Sequence, residues 1–225
     1  MKLADITPIH KKNGTILKEN YRQISCLSAG SKVYERILHK QISKHFETYF
    51  SPFLCGYRKG YCAQYAIMTL LEKWRISLDK KGYGGAILMD LSKAFDSLNH
   101  ELLIAKLSAY GFSKNALNLI YSYLKDRWQR TKINNSFSSW VEILLGVPQG
   151  SILGPLLFNI YLNDLFFLDL ESDLCNFADD NTLHTCDVNL NTLVQRLESS
   201  ATKVIEWFHA NCMKLNASKC KLLII

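Results

Sequence analysis

Two adjacent acids, Asp179 and Asp180, stand between two short apolar segments and constrain the fold more than any other feature of the sequence. The segments 174–177 and 182–185 have the length and composition of β-strands, so a hairpin with both acids at its tip is predicted. Neighbouring carboxylates repel each other, and one of them should have a raised pKa unless a cation lies between them. Taken alone, the pair favours a solvated turn or a helix cap, because Asp is a common turn residue.

A third acid, Asp90, directly follows the apolar run 86–89. A continuous apolar run of this length predicts a strand that is buried on both faces. If this strand neighbours the hairpin in one sheet, three carboxylates converge at one edge. Oxygen-only ligation suits a hard cation such as Mg²⁺, and two such ions can activate an attacking oxygen and stabilise a leaving one in phosphoryl transfer.

The remaining segments predict a mixed α/β (α+β) fold. Helical spacing of apolar residues predicts helices over 28–50, 63–78, 96–110, 114–125, 152–166 and 191–211. Two further hairpins are predicted, one within the first 25 residues turning at Asn13-Gly14 and one over 130–145 turning at Asn134-Asn135. The glycine-rich segment 82–85 is expected to break the chain, and residues 221–225 are expected to form a closing strand.

The net charge of +7 is unevenly distributed along the 225 residues. Residues 1–82 hold fifteen Lys and Arg against six Asp and Glu, whereas residues 83–225 hold twelve against fourteen. A basic front half beside a slightly acidic back half suggests a polyanion-binding region next to a cation-binding one. A solvated, lysine-rich surface explains the same counts equally well.

Membrane insertion and secretion are not indicated. The longest apolar stretch, 152–170, is interrupted by Pro155 and several polar residues, and the N-terminus lacks the apolar run of a secretory signal. The seven cysteines form no Cys-x-x-Cys pair, which argues against a disulfide scaffold and against a zinc site. We expect an intracellular protein, in the nucleus and/or the cytoplasm, with no membrane partner.

Five motifs occur in the order that one family has them. Residues 90–96 (Asp-Leu-Ser-Lys-Ala-Phe-Asp) resemble the first palm motif of reverse transcriptases, especially those of non-LTR (LINE-like, jockey-like) retrotransposons, and 146–158 (Gly-Val-Pro-Gln-Gly-Ser and onward) resemble the second. Residues 177–180 resemble the aromatic-x-Asp-Asp motif, with Phe in place of the more usual Tyr. Residues 20–25 resemble the fingers motif, with Gln23 where proline is usual, and 213–219 resemble the palm-closing motif.

The resemblance implies a metal centre. Asp90 and Asp179 would be the principal ligands of two Mg²⁺ ions, for which Mn²⁺ is a possible substitute, and Asp180 would be a further ligand or a supporting acid. The backbone carbonyl of Leu91 would complete the coordination.

The resemblance also implies nucleotide-binding residues. Phe95 would lie beneath the sugar and exclude a 2′-hydroxyl, although plain core packing explains an aromatic residue there as well. Gln149 and Gly150 would line the nucleotide pocket, where a bare backbone permits close approach. Arg22, and less specifically Lys11 or Lys12, would bind the triphosphate, and Lys219 would donate a proton to pyrophosphate.

The implied fold is the fingers and palm of a right-hand polymerase, with a small antiparallel palm sheet packed on helices. A fingers-like basic region is expected at 1–82 and the palm at 83–225, with the thumb and any endonuclease lying outside the chain. The implied activity is RNA-directed DNA polymerisation, with an RNA template, a DNA primer and dNTPs as partners.

Two alternatives remain open at the level of sequence. One is a catalytically silent, truncated relic that only binds nucleic acid. The other is an RNA-dependent RNA polymerase, which Phe95 and the alanine before Asp179 argue against.

Overall fold

The structure, a computed structural model, describes residues 2–11 and 14–225, without the side chain of Glu19. The predicted turn residue Asn13 and the candidate cation Lys12 lie outside these residues. The chain divides into two compact units, a first unit of Met1–Glu47 with Phe95–Phe158 and a second unit of Thr48–Ala94 with Asn159–Ile225. Each unit is discontinuous in sequence, and the predicted boundary at residue 82 stays a prediction about polymerase subdomains.

The predicted alternation of helices and strands is confirmed in outline. The α-helices in the described residues are α1 (Ala29–Phe46), α2 (Ala63–Asp79), α3 (His100–Ala109), α4 (Lys114–Leu124), α5 (Leu153–Leu162) and α6 (Leu190–Ala210). The strands are β1 (Leu3–His10), β2 (Tyr21–Cys26), β3 (Tyr83–Asp90), β4 (Arg127–Ile133), β5 (Ser136–Phe137), β6 (Val141–Ile143), β7 (Asp173–Phe177), β8 (Asp180–Asp187) and β9 (Lys221–Ile224).

The first unit contains a sheet in the order β2-β1-β4-β5, with β6 also paired to β4. β1 and β2 are antiparallel, as the predicted N-terminal hairpin requires, whereas β1 and β4 are parallel. The second predicted hairpin turns where expected, since β4 and β5 are separated by Asn134-Asn135 and Asn134 adopts a φ of 51°.

The second unit is built on an antiparallel sheet in the order β7-β8-β3-β9. A Cβ on Gly84 would lie 3.0 Å from the Trp74 ring of α2, and one on Gly85 would lie 2.7 Å from Leu193 of α6. Since successive residues of a strand point to opposite faces, α2 and α6 pack on opposite faces of β3. The expected chain break over 82–85 is therefore wrong for Gly84 and Gly85, which belong to β3 and let both helices approach closely.

Several predicted boundaries are also corrected. α1 ends at Phe46 and not at residue 50. α3 begins at His100 and not at 96, because the Asn99 side chain accepts a hydrogen bond from the Leu102 backbone N at 3.0 Å and caps the helix there. The helix predicted over 152–166 ends as α5 and continues as a short 3-10 helix.

The prediction that the strand β3 is buried on both faces is wrong at one residue of the apolar run, Leu88. Leu88 is 41% exposed, because it pairs with Lys221 of the edge strand β9, which is itself exposed along its length.

Candidate active site

Asp179 and Asp180 lie where β7 turns into β8. Asp179 belongs to a two-residue loop with Ala178, which adopts a φ of 61°, and Asp180 is the first residue of β8. The buried Asn176 side chain donates to the Ala178 carbonyl at 2.7 Å and to Asn181 Oδ1 at 3.0 Å. Asn181 Nδ2 donates in turn to the Asp179 carbonyl at 3.2 Å. Two buried amides therefore fix the backbone that presents both acids.

A loop before α2 supports the same turn from outside the hairpin. The Cys55 backbone N donates to the Asn176 carbonyl at 2.9 Å, and the Asn176 backbone N donates to the Phe53 carbonyl at 3.0 Å. A Cβ on Gly56 would overlap the backbone of Ala178. Gly56 and Asn176 were not predicted as site residues; a glycine in an otherwise aromatic loop was the only sequence signal of this close approach.

The strand register brings the third acid to the hairpin. β3 and β8 are antiparallel, and Asp90 is paired directly with Asp180. Directly opposed residues in such a pair have Cα atoms about 5 Å apart. Leu91, the next residue, is buried and forms a bridge with Leu215. The three predicted carboxylates, far apart in sequence, are thus neighbours at one edge of the sheet.

Lys219 also reaches this edge. Its Nζ lies 3.0 Å from Asp90 Oδ2. The segment that carries it is held against the end of β3 by two backbone hydrogen bonds, from Asn216 N to the Asp90 carbonyl at 2.8 Å and from Ser92 N to the Lys214 carbonyl at 2.7 Å. Lys219 is mostly exposed, so its ion pair with Asp90 is one that solvent weakens.

The two neighbouring carboxylates disfavour the charge of Asp180. Partial burial raises the pKa of Asp180, the nearby charges of Asp179 and Asp90 raise it further, and Lys219 opposes the shift. Such a cluster is stabilised by positive charge placed among its oxygens.

The donor set fits a hard divalent cation in its chemistry. Asp90, Asp179 and Asp180 offer only oxygen atoms, the ligands that Mg²⁺ and Mn²⁺ prefer. Within residues 2–11 and 14–225, no three His, Cys, Asp or Glu side chains are arranged so that they already enclose a metal ion.

The predicted nucleotide-binding residues Phe95, Gln149 and Gly150 belong to the first unit. The Phe95 ring stacks on the Phe158 ring with centroids 4.6 Å apart and an interplanar angle of 24°. The Phe95 carbonyl accepts a hydrogen bond from Val147 N at 2.9 Å, which ties the residue to the start of the second palm motif. Phe95 therefore has the core contact that the simpler interpretation expects.

The Gln149-Gly150 segment is held by β2. The Gln149 carbonyl accepts a hydrogen bond from Ser25 N at 2.8 Å, and its side-chain Nε2 donates to Asp96 Oδ1 at 2.9 Å. Gly150 adopts a φ of 105°, a conformation that favours glycine, and a Cβ there would lie 3.2 Å from the Ser25 carbonyl.

A buried acid that was not predicted also fixes this segment. Glu35 of α1 is fully buried, and its carboxylate accepts hydrogen bonds from the backbone N of Ile152 at 2.6 Å and of Leu153 at 3.4 Å. It thereby satisfies free N–H groups at the start of α5. Glu35 recurs on the same helix face as Leu38, Ile42 and Phe46, and an acid at a core position was the signal that could have found it.

The two predicted triphosphate cations are exposed in the first unit. Arg22 lies on β2 opposite Ile9 of β1, and Lys11 follows the end of β1, where its backbone N donates to the Asn20 carbonyl at 2.8 Å.

Comparison with known proteins decides the family. The family model described as reverse transcriptase (RNA-dependent DNA polymerase) matches residues 9–224. The chain belongs to the reverse transcriptase family. Members of this family use divalent metal ions, in agreement with the oxygen-only carboxylate cluster.

Retrotransposon polymerases are among the similar sequences, as the motif resemblance predicted. The chain is 30% identical over 228 residues to a probable RNA-directed DNA polymerase from transposon BS of Drosophila melanogaster, and 30% identical over 226 residues to a probable RNA-directed DNA polymerase from transposon X-element of the same organism. It is 25% identical over 229 residues to the RNA-directed DNA polymerase from mobile element jockey of the same organism. Each match covers 97% of this chain and 25% of the relative, so the chain spans a quarter of these proteins.

Solved structures confirm the predicted polymerase fold. Apo telomerase from Candida tropicalis superposes with a TM-score of 0.67 at 14% identity, covering 99% of this chain and 44% of that one. The telomerase of the same organism in complex with the TWJ fragment of telomeric RNA gives a TM-score of 0.66 at 15% identity, covering 99% and 41%. Across the described helices of this chain, length and hydropathy fall short of what a membrane crossing needs.

Proposed function

We propose that this chain carries the nucleotidyl-transfer centre of an RNA-directed DNA polymerase from a non-LTR retrotransposon. The reaction joins a primer 3′-hydroxyl to the α-phosphate of a dNTP, and the bond from that phosphate to pyrophosphate breaks. The hydroxyl proton leaves to solvent or a nearby base, and pyrophosphate leaves with the remaining negative charge.

The observation that carries the proposal is the pairing of Asp90 with Asp180 across β3 and β8, beside Asp179. A catalyst of phosphoryl transfer mainly positions its reactants and stabilises developing charge. Three carboxylates fixed at one sheet edge by strand register and by the buried amides of Asn176 and Asn181 supply such a rigid frame.

Asp90, Asp179, Asp180 and the Leu91 carbonyl would hold two Mg²⁺ ions, with Mn²⁺ as a substitute. When bound, the ions supply Lewis acidity for the attacking and the leaving oxygen. The raised pKa of Asp180 supports this assignment, because a carboxylate whose charge is disfavoured by its neighbours gains most from a nearby cation. Lys219, now paired with Asp90, would be the proton donor to the pyrophosphate.

The residues of the first unit would bind the nucleotide. Arg22 and Lys11 would contact the triphosphate, Gln149 and Gly150 would line the pocket, and Phe95 would exclude the ribose 2′-hydroxyl. The fixed Gln149-Gly150 segment supports this assignment, because its backbone is held by Ser25 and so is preorganised.

The partners would be an RNA template, a DNA primer and dNTPs, in the nucleus and/or the cytoplasm. The names of the retrotransposon relatives support the template and product types, and the telomerase structure with bound RNA supports RNA as a ligand of this fold.

A primer-extension assay tests the proposal. A labelled DNA primer on an RNA template is incubated with the protein, Mg²⁺ and dNTPs, in parallel with Asp179→Asn and with a control, Asp169→Asn, an exposed acid outside the cluster. We expect extension by wild type and control and a loss of at least about 1000-fold in Asp179→Asn. A folded wild-type chain that binds the template-primer and never extends it would favour the silent relic. Use of NTPs as readily as dNTPs would favour an RNA polymerase.

A further inference from the structure

Helix α1 carries a row of four cations at four-residue intervals. Lys32, Arg36, Lys40 and Lys44 are all exposed. Residues four apart form one ridge on a helix surface, so these side chains follow each other along α1 and do not scatter around it. We call these four residues the α1 basic ridge.

The ridge has the length of a short run of nucleic-acid backbone. Twelve residues of helix rise about 18 Å from the first cation to the last. A backbone segment of that length carries several phosphates, since each strand of a DNA duplex has one phosphate per about 3.4 Å of helix axis. Each long, flexible side chain can therefore reach a phosphate of its own.

No acid of the helix neutralises the ridge. Glu35, the one acidic residue of α1, is fully buried and faces α5. Among the described residues, none of the four ridge cations forms an ion pair.

Helix α2 shows the contrasting arrangement. There Arg75 is paired with Glu72 at 2.8 Å and with Asp79 at 3.2 Å, and Lys73 is paired with Asp173 at 2.7 Å. A helix surface that is only solvated commonly carries such alternating charges. The α1 basic ridge lacks them, and its positive charge is available to a polyanion.

The division of the chain sharpens the contrast. The first unit holds fifteen Lys and Arg against eight Asp and Glu, whereas the second unit holds twelve against twelve. The whole net charge of +7 therefore belongs to the first unit, on which α1 lies. This distribution could not be read from a division of the sequence at residue 82.

We propose that the α1 basic ridge binds the phosphodiester backbone of a nucleic acid. The identity of that nucleic acid as the polymerase template rests on the proposed function, whereas the binding itself does not. The contacts go to phosphate oxygens, so binding is independent of base sequence and releases condensed counterions.

The test replaces all four ridge cations with Gln, which keeps helix propensity and side-chain length while removing charge. The control removes the same charge elsewhere, through Lys59→Gln, Lys80→Gln, Lys114→Gln and Lys125→Gln, four exposed lysines off the ridge. Circular dichroism checks that both variants fold. Fluorescence anisotropy then gives Kd for a single-stranded RNA and for an RNA–DNA duplex of about 20 nucleotides, over about 50 to 300 mM salt.

We expect the ridge variant to lose about 3 from the slope of log Kd against log salt with single-stranded RNA, since each phosphate contact contributes about 0.7. Its affinity at about 0.1 M salt should fall at least about tenfold. The slope of the control variant should fall by less than a third of the loss seen in the ridge variant. The nucleic acid that shows the larger loss is the ligand. Equal slopes for the ridge and control variants with both nucleic acids would overturn the inference. That result would instead favour a protein partner that covers α1 and contacts the exposed side chains of Val33 and Ile37.

Asp179→Asn separates this inference from the proposed function. It should retain the wild-type salt slope, because it lies outside the ridge. A ridge-dependent slope in a chain that extends no primer would leave the inference standing and reject the proposed function. Suppose instead that the wild type extends the primer while the ridge variant binds nucleic acid as the control variant does. That result would support the proposed function and reject the inference about the ridge.

Discussion

At the residue scale, Asp180 is an acid whose charge its surroundings disfavour. Burial and the charges of Asp179 and Asp90 raise its pKa. A carboxyl group whose pKa is raised in the folded state contributes stability that is present below its unfolded pKa of about 3.9 and is lost as pH rises through the folded pKa. At neutral pH, without a divalent ion, Asp180 therefore opposes folding.

We predict that Asp180→Asn increases the free energy of unfolding at pH 7 by less than about 1 kcal/mol, because solvent screens the exposed residue. The gain should vanish below about pH 3, where the wild-type carboxyl is protonated. Urea titrations across this pH range measure it. Glu198→Gln, an exposed acid on α6, is the control and should show no such pH-dependent gain.

Magnesium should reverse the order of stability. About 10 mM Mg²⁺ should stabilise the wild type more than Asp180→Asn, because an ion that binds only the folded state adds its binding free energy to folding. Equal responses of both proteins to Mg²⁺ would contradict the assignment of Asp180 as a ligand.

Phe95 can serve sugar selection and core packing together. Phe95→Val should increase the use of ribonucleotides relative to deoxynucleotides and cost about 2 kcal/mol of stability, because the stacked contact with Phe158 is lost. Competitive incorporation of NTP and dNTP measures the first effect. Phe158→Leu is the matched control, since it removes the same stack from the fully buried side and should leave sugar choice unchanged. Unchanged discrimination in Phe95→Val would leave core packing as its whole role.

The strand-end positions of the three acids could be predicted from the sequence. Lys219 was implied by the motif resemblance alone, and its contact with Asp90 was not predicted. Asp90, Asp179 and Asp180 each stand at the end of a recognisable strand pattern. The ion pair between Lys219 and Asp90 joins residues 129 positions apart, and no local pattern encodes such a contact.

At the element scale, the catalytic hairpin depends on a glycine outside it. We predict that Gly56→Ala costs about 2 kcal/mol of stability, because its Cβ would overlap the Ala178 backbone. Displacement of the turn by up to about 1 Å should lower primer extension about 100-fold. Gly30→Ala is the control: no atom lies within 4 Å of its added Cβ, and it should stabilise α1 by up to about 1 kcal/mol. Full activity in Gly56→Ala would show that the loop does not support the turn.

Glu35 connects α1 to the start of α5, directly after the Gln149-Gly150 segment. Glu35→Leu should cost about 3 kcal/mol, because the backbone N–H groups of Ile152 and Leu153 would lose the buried oxygen that accepts from both of them. If Glu35 positions the nucleotide pocket, KM for dNTP should rise while Kd for the template-primer stays constant.

Ser31→Ala is the control for Glu35, since it removes one hydrogen bond of 3.2 Å to the same carboxylate and should cost about 1 kcal/mol. A Glu35→Leu protein that is less stable but has an unchanged KM would limit Glu35 to a structural role.

The periodicity of apolar residues predicted most helices and strands, but it missed the glycines that allow neighbouring elements to pack closely. Gly84 and Gly85 looked like a chain break, because glycine most often marks turns. Their use inside β3 depends on α2 and α6 lying against opposite faces, and the sequence of β3 contains no information about those helices.

At the scale of the whole molecule, the least predictable feature was that each unit is assembled from separate segments of the sequence. Each unit joins segments from separate parts of the chain, such as Thr48–Ala94 with Asn159–Ile225. The excess of basic residues over 1–82 is a property of a contiguous segment and does not reveal which distant segments pack together. The long-range strand pairs β3–β8 and β1–β4 join such segments, and the ordered motifs were the main indication of them.

The central claim is that carboxylates far apart in sequence bind divalent ions together, and iron-directed cleavage tests it without requiring activity. Fe²⁺ replaces Mg²⁺ in such sites and, with ascorbate and peroxide, generates hydroxyl radicals that cut the nearby backbone. We predict cuts close to both Asp90 and Asp179-Asp180, suppressed by excess Mg²⁺ and absent from the Asp179→Asn and Asp180→Asn double variant. Cleavage at neither segment, or cuts that Mg²⁺ does not suppress, would contradict the claim.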